Sequence, residues 1–211
     1  MRENPNELVM KGTTTIGVVC KDGVILASDT RVTMGYFIAH HKGKKIYVVD
    51  EHLAMTISGN VADAQKAVDI LKVNASLYKL NNERPMPVNT AARVLANLLF
   101  STRYAPLVAQ VLVGGFDDTG PRVYEIDPFG SVTEEKCIST GSGSPIALGV
   151  LEDRYKEDVK IKEFAPIVVK AVKSAMKRDS ASGDSFDIVV IDENGVKDLS
   201  DEEKEKLSQE F

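Results

Sequence analysis

No stretch of this 211-residue chain approaches the roughly 20 consecutive apolar residues that a membrane-spanning helix needs, so no helical span is expected. It has no long basic run and a net charge of −5, which gives a nucleic-acid partner held by a basic face little support. Cysteine and histidine are scarce. Cys20, Cys137, His40, His41 and His52 are all there is, and none stands at metal-ligand spacing, so neither a metal nor a cofactor is expected. The cysteines lie in apolar, strand-like surroundings and read as small core hydrophobes in a reducing compartment; sequence alone leaves a disulfide open. The first twelve residues carry Arg2, Glu3, Asn4, Pro5, Asn6 and Glu7 and lack the apolar centre of a secretion signal. A cytoplasmic protein is the expectation. Its polar leader fits either a disordered terminus or a removable propeptide.

What is present is ordinary globular usage, with 43% hydrophobic and 27% charged residues, enough for one domain with a sizeable core. Thr13–Cys20 and Val24–Arg31 read as strands joined by Lys21-Asp22-Gly23, and the second is apolar on both faces until Ser28. Further strands are expected at Ile46–Asp50 and Leu53–Ser58. Two helices follow: Ala64, Ala67, Val68, Leu71 and Ala75 recur at helical spacing, as do Val88, Ala91, Ala92, Leu95 and Leu99, with Pro87 near the start of the second. Strands return at Ala109–Phe116, Arg122–Ile126 and near Cys137. Helical patterns then run from Pro145 to about Tyr155 and from about Phe164 to Arg178, before a final strand at Phe186–Asp192. The acidic-basic run Asp201–Lys206 reads as a solvated helical end or tail. Strands in groups argue against a doubly wound parallel sheet. They favour an α+β fold in which two antiparallel sheets face each other with helix pairs outside.

The junction Gly12-Thr13 opens the first strand. Cutting there would leave a threonine whose single residue carries both a hydroxyl nucleophile and a free α-amine to act as its base. Threonines are common in strands, so the run Thr13-Thr14-Thr15 alone does not establish this chemistry. Asp29 breaks an apolar strand and, if buried, must be paired. Lys45 is the one basic residue of Lys42-Gly43-Lys44-Lys45 that adjoins the following strand. Ser142 lies in the turn Gly141-Ser142-Gly143-Ser144, and Asp179 and Ser182 follow a helix in Arg178-Asp179-Ser180-Ala181-Ser182-Gly183, where polar caps and turns are common.

Taken together and in order, these segments, with Ala27-Ser28-Asp29-Thr30-Arg31, Gly43-Lys44-Lys45-Ile46 and Ser58-Gly59, resemble the proteasome β-subunit family of threonine peptidases. The short leader is most similar to archaeal members. The resemblance runs from Thr13 to at least Asp192. It implies a four-layer αββα sandwich of the N-terminal-nucleophile hydrolase type, with residues 1–12 a propeptide removed by autocatalysis and residues 13–211 one catalytic domain. It also implies a cylinder of four stacked seven-membered rings, 28 subunits in all, in which α subunits flank the β rings and link them to a regulatory ATPase. Unfolded polypeptides would be the substrates, with no nucleic-acid or membrane partner.

By the same resemblance Thr13 is the nucleophile, Lys45 tunes its hydroxyl and amine, and Asp29 holds Lys45 charged. The Gly59 N–H stabilises the oxyanion, Ser142, Asp179 and Ser182 orient the amine and its water, and Val32, Ile57 and Val61 line an apolar substrate pocket. Two rivals remain on sequence alone: a noncatalytic structural β-type subunit of the same assembly, and a different N-terminal-nucleophile amidohydrolase.

Overall fold

A computed structural model of the chain describes residues 12–209, so the expected leader lies outside the described residues except for Gly12. In chain order the first half gives β1 (Thr15–Cys20), β2 (Gly23–Asp29), β3 (Val32–Met34), β4 (Phe37–His40), β5 (Ile46–Asp50), β6 (Leu53–Gly59), α1 (Val61–Asn82) and α2 (Val88–Ser101). The second half gives β7 (Ala109–Asp117), β8 (Gly120–Ile126), β9 (Val132–Glu135), β10 (Cys137–Thr140), α3 (Ser144–Glu152), α4 (Ile161–Arg178), β11 (Phe186–Asp192), β12 (Gly195–Asp198) and α5 (Asp201–Ser208). The strands form two antiparallel sheets, ordered β10-β1-β2-β11-β12 and β5-β6-β7-β8-β9, while β3 and β4 make a separate hairpin.

Period-2 alternation along the buried strands sends successive side chains into different layers. On the first sheet Ile16, Val18, Ile25 and Ala27 face outward onto Leu151, Phe164, Val168 and Val172 of α3 and α4. Their neighbours Val19, Val24 and Leu26 face inward and meet Ile46, Ala54 and Val123 of the second sheet. The outer face of that sheet packs Met55, Val111 and Val113 against Leu71, Leu95 and Leu99 of α1 and α2. The result is the expected four layers, helix–sheet–sheet–helix. Close approach of the sheets requires Gly17 on the inward face of β1, where a Cβ would lie 2.9 Å from Val123 Cγ1.

Several boundaries differ from the expectation for physical reasons. β1 begins at Thr15 rather than Thr13, because the Thr14 N–H is taken by the Asp29 carboxylate. Pro121 belongs to β8 rather than to the preceding turn; it pairs with Phe116 beyond the end of β9, where no second partner needs its missing N–H. Phe186–Asp192 is not the last strand, since the Asn194–Gly195 turn returns the chain as β12 beside it. The hairpin β3–β4 and the strands β9 and β12 escaped the sequence reading because they are short and mostly half-buried or exposed, with no apolar alternation. Asp201–Ser208 is a helix with no buried residue, started by a capping box between Ser200 and Glu203. Both cysteines are free thiols, and burial pushes each to a pKa of about 12, so they stay protonated at neutral pH. None of the described helices is long and apolar enough to cross a membrane, and no cluster of metal-ligating side chains occurs among the described residues.

The start of α2 shows how a strand end fixes a helix. Its N-cap is Pro87, whose side chain cannot accept a hydrogen bond, so Asp117 at the end of β7 accepts from Val88 N–H at 2.9 Å instead. Asp117→Ala is expected to lower the unfolding free energy near neutral pH by about 1 kcal/mol, the usual worth of an N-terminal cap. Burial alone would raise the Asp117 pKa, but hydrogen bonds from Thr119 and Val88 outweigh it and hold the carboxyl below its ordinary value. A depressed carboxyl contributes stability above its unfolded pKa and loses it as pH falls through its folded pKa. Denaturant titrations of both chains between about pH 7 and about pH 3 should therefore show a gap that narrows in acid. A gap that widens would contradict the assignment.

Candidate active site

Asp29 ends β2 with its side chain fully buried. Oδ1 accepts from Thr14 N–H at 2.9 Å and from the Lys45 ammonium at 2.7 Å. Oδ2 accepts from Arg31 N–H at 3.1 Å and Gly183 N–H at 3.0 Å. Every partner is a donor, so the group sits as a carboxylate with its lone pairs filled. Lys45 precedes β5 and is itself buried, with only 8% of its side chain exposed. Burial is the main influence on its pKa and lowers it, against the pull of the Asp29 carboxylate. The pair is thus a buried ammonium held by one carboxylate, and removing either partner of such a pair typically costs about 3–5 kcal/mol.

Gly12, Thr13, Lys45 and Gly59 all line one cavity of about 600 Å³. Gly12 has no room for a side chain: a Cβ there would fall 1.6 Å from Ala181 Cβ and 3.0 Å from Ser142 Oγ. The carbonyl of Thr13 accepts from Gly143 N–H at 3.3 Å. Gly141, at φ +90°, presses so close that a Cβ would lie 2.0 Å from that same oxygen. The Gly-Ser-Gly turn is therefore a clamp on the backbone of Thr13.

A second network lies beside the clamp. Asp179 is the C-cap of α4, and its Oδ2 accepts from Ser142 Oγ and Ser182 Oγ, each at 2.6 Å. Ser182 Oγ also bonds Thr14 Oγ1 at 2.7 Å. The loop that carries Ser182 is pinned from outside: Arg31 donates to Asp184 at 2.9 Å and to the Ser180 carbonyl at 2.9 Å. Hydrogen bonds from Arg31 and His41 hold the Asp184 carboxyl down to about 2.

The residues singled out by sequence thus fall into one region. Thr13, Lys45 and Gly59 share the cavity, Asp29 holds Lys45, and Ser142, Asp179 and Ser182 form one hydrogen-bonded cluster against the Gly12–Thr13 junction. Val32, Ile57 and Val61 line the same cavity. Arg31, His40, Lys42 and Lys44 also line it, and no carboxylate among the described residues does. The sequence reading missed Thr14, whose N–H and hydroxyl touch both networks, and the N–H groups of Arg31 and Gly183 on Asp29. A backbone donor leaves no trace in residue type, so only Thr14 offered a signal, by its place beside Thr13.

A family profile described as "Proteasome subunit" matches residues 9–191. The chain is 48% identical over 203 residues to the protein named proteasome subunit beta of Ferroglobus placidus, covering 96% of this chain and 97% of that one. It is 48% identical over 206 residues to the proteasome subunit beta of Archaeoglobus fulgidus, covering 97% of both. For the proteasome subunit beta of Methanosarcina mazei the figures are 47% over 199 residues, 94% of this chain and 95% of that one. With the sandwich fold, the glycine-clamped junction and the buried Asp29–Lys45 pair, these matches place the chain in the proteasome subunit family, among its β subunits.

Proposed function

We propose that this chain is a catalytic β subunit of a proteasome core, a threonine-type endopeptidase whose nucleophile is Thr13 after loss of residues 1–12. The observation that carries the proposal is the cavity in which the Gly12–Thr13 bond, the buried Lys45 ammonium and Gly59 meet. In the processed chain Thr13 Oγ attacks the scissile carbonyl and the α-amine takes its proton, directly or through water. An α-amine has a pKa of about 7.7–8.0, so a substantial neutral fraction exists near neutral pH. The adjacent Lys45 charge favours the developing alkoxide and lowers the amine's pKa by like-charge repulsion. Gly59 N–H donates to the oxyanion, a contact worth roughly 3–4 kcal/mol where such donors have been removed. Collapse of the tetrahedral intermediate breaks the C–N bond, the amine returns the proton to the leaving nitrogen, and water then hydrolyses the Thr13 ester. The Asp179 cluster orients the amine and that water.

In the precursor the α-amine is tied up in the Gly12–Thr13 peptide bond, so a water replaces it as base. Thr13 Oγ attacks the Gly12 carbonyl, and the acyl group passes from N to O with loss of the C–N bond, which frees the amine. Hydrolysis of the ester then releases residues 1–12 and restores the Thr13 hydroxyl. Assembly with other proteasome subunits follows from family membership. Rings shared with α subunits, feeding by a regulatory ATPase and unfolded polypeptide substrates are the finer part of the proposal. Confinement supports it: an unfolded chain inside a chamber meets many sites at high effective concentration.

Thr13→Ala, produced without active partners, is expected to keep Met1–Gly12, measured by intact mass. A mature-length product would exclude self-cleavage. Lys45→Ala should lose at least about 10²-fold in peptidase rate while the particle stays assembled, as expected when one catalytic charge is lost. Lys45→Arg should fail as well, because a planar guanidinium does not replace a compact ammonium in a closed site. Fluorogenic peptide hydrolysis across size-exclusion fractions measures both, and near-wild-type rates in either variant would remove Lys45 from the mechanism.

A further inference from the structure

Along most of its length the layer between the two sheets is apolar, built from residues such as Val19, Leu26, Ile46, Ala54 and Val123. At the end nearest the cavity it turns to hydroxyls. Thr15 and Thr140 are direct cross-strand partners on β1 and β10, and their Oγ1 atoms are 2.7 Å apart. Thr140 Oγ1 also lies 3.2 Å from Ser58 Oγ on β6, in the other sheet. Ser58 Oγ in turn reaches the Gln110 carbonyl at 3.4 Å. Thr15, Thr140 and Ser58 are all buried, at 0%, 1% and 5% exposure.

Each hydroxyl has one proton to give. A carbonyl can only accept, so Ser58 donates to Gln110 and must accept from Thr140, which then accepts from Thr15. The protons run one way, from β1 through β10 to the second sheet. Ser139 Oγ fastens the same end from the main chain, donating to Thr15 O at 2.7 Å.

The chain of hydroxyls matters because of what adjoins it. Thr15 is two residues from Thr13. Ser58 immediately precedes Gly59, at φ +128°, and Thr140 immediately precedes Gly141, at φ +90°. A Cβ on Gly59 would lie 2.1 Å from Val108 O, so that turn, like the Gly141 clamp, is wedged against backbone. We propose that Thr140 is a positioning residue: its hydroxyl, through Thr15 and Ser58, sets the distance between the nucleophile segment, the turn that clamps Thr13 and the Gly59 oxyanion donor. The inference rests on the threonine-peptidase reading above. Thr140 touches no reacting atom, and its effect passes through the two glycines.

The test uses the assembled particle, with active sites titrated by a covalent threonine-directed peptide inhibitor so that kcat is expressed per site. Thr140→Val keeps the shape and removes the hydroxyl, Thr140→Ser keeps the hydroxyl, and Ser58→Ala removes the next link. Thr56→Val is the control, because its hydroxyl is buried on the same strand with no hydrogen-bond partner among the described residues. Thr140→Val should lower kcat about tenfold or more, with KM changed by less than about twofold, since misplacement costs the chemical step rather than binding. Ser58→Ala should lower kcat similarly, and the double variant should be no worse than the weaker single one, as links of one unit are not additive. Thr140→Ser should return kcat to within about twofold of wild type, and Thr56→Val should not change it.

Wild-type kcat per titrated site in Thr140→Val, even with lower thermal stability or yield, would overturn the proposal. So would an equal loss in Thr56→Val. If Thr140→Val does not assemble, Ser58→Ala decides by the same criteria. A wild-type particle that neither cleaves peptides nor takes up the inhibitor would overturn the threonine-peptidase reading itself, a result distinct from an active wild type matched by Thr140→Val.

Discussion

One charge that cannot reach water organises the site. Asp29 ends a strand buried on both faces, so its carboxylate is satisfied only by donors that the chain brings to it. Those donors are Thr14, Arg31, Lys45 and Gly183, the last of them 154 positions away in sequence. Satisfying one carboxylate therefore draws together the segment of Thr13, the lysine and the loop that carries Ser182. Three of the four donors are backbone N–H groups, which belong to the fold. The lysine is the only side chain among them, and its charge is left facing the cavity. Structure and chemistry thus share one anchor but depend on different contacts to it.

Much of the architecture was legible in the sequence, and the reason is burial. β1, β2, β6 and β7 are buried almost throughout, so their mainly apolar runs mark them as strands, and β2, apolar on both faces until Ser28, as one between layers. The buried stripe of α1, Ala64, Ala67, Val68, Leu71 and Ala75, is the one its spacing announces. The hairpin carrying Met34, Tyr36 and Phe37 was illegible because those large apolar side chains are exposed, which breaks the link between hydrophobicity and position that periodicity relies on. Likewise β12 is short and largely outside the core, so nothing but the Asn194–Gly195 turn hinted at it.

The site was legible in a different way. Asp29 stood out because a carboxylate in an apolar strand demands a partner, but the partner's identity came from the Lys45 motif and family resemblance, not from spacing. Ser142, Asp179 and Ser182 are ordinary turn and cap residues taken singly, and Asp179 does cap α4. Only the fold shows Ser142 and Ser182 converging on the same carboxylate oxygen. What no pattern could reveal were the close approaches at Gly12 and Gly141, where a Cβ would collide with Ala181 and with the Thr13 carbonyl respectively.

The central claim is that Thr13, freed at its amine, is the nucleophile of this chain. The most direct measurement is to treat the assembled particle with an electrophilic peptide inhibitor, digest it, and locate the adduct by tandem mass spectrometry. The account predicts a new N-terminus at Thr13 with the adduct on that residue and nowhere else, in proportion to lost activity. Complete inactivation with Thr13 unmodified, or still joined to Gly12, would contradict it.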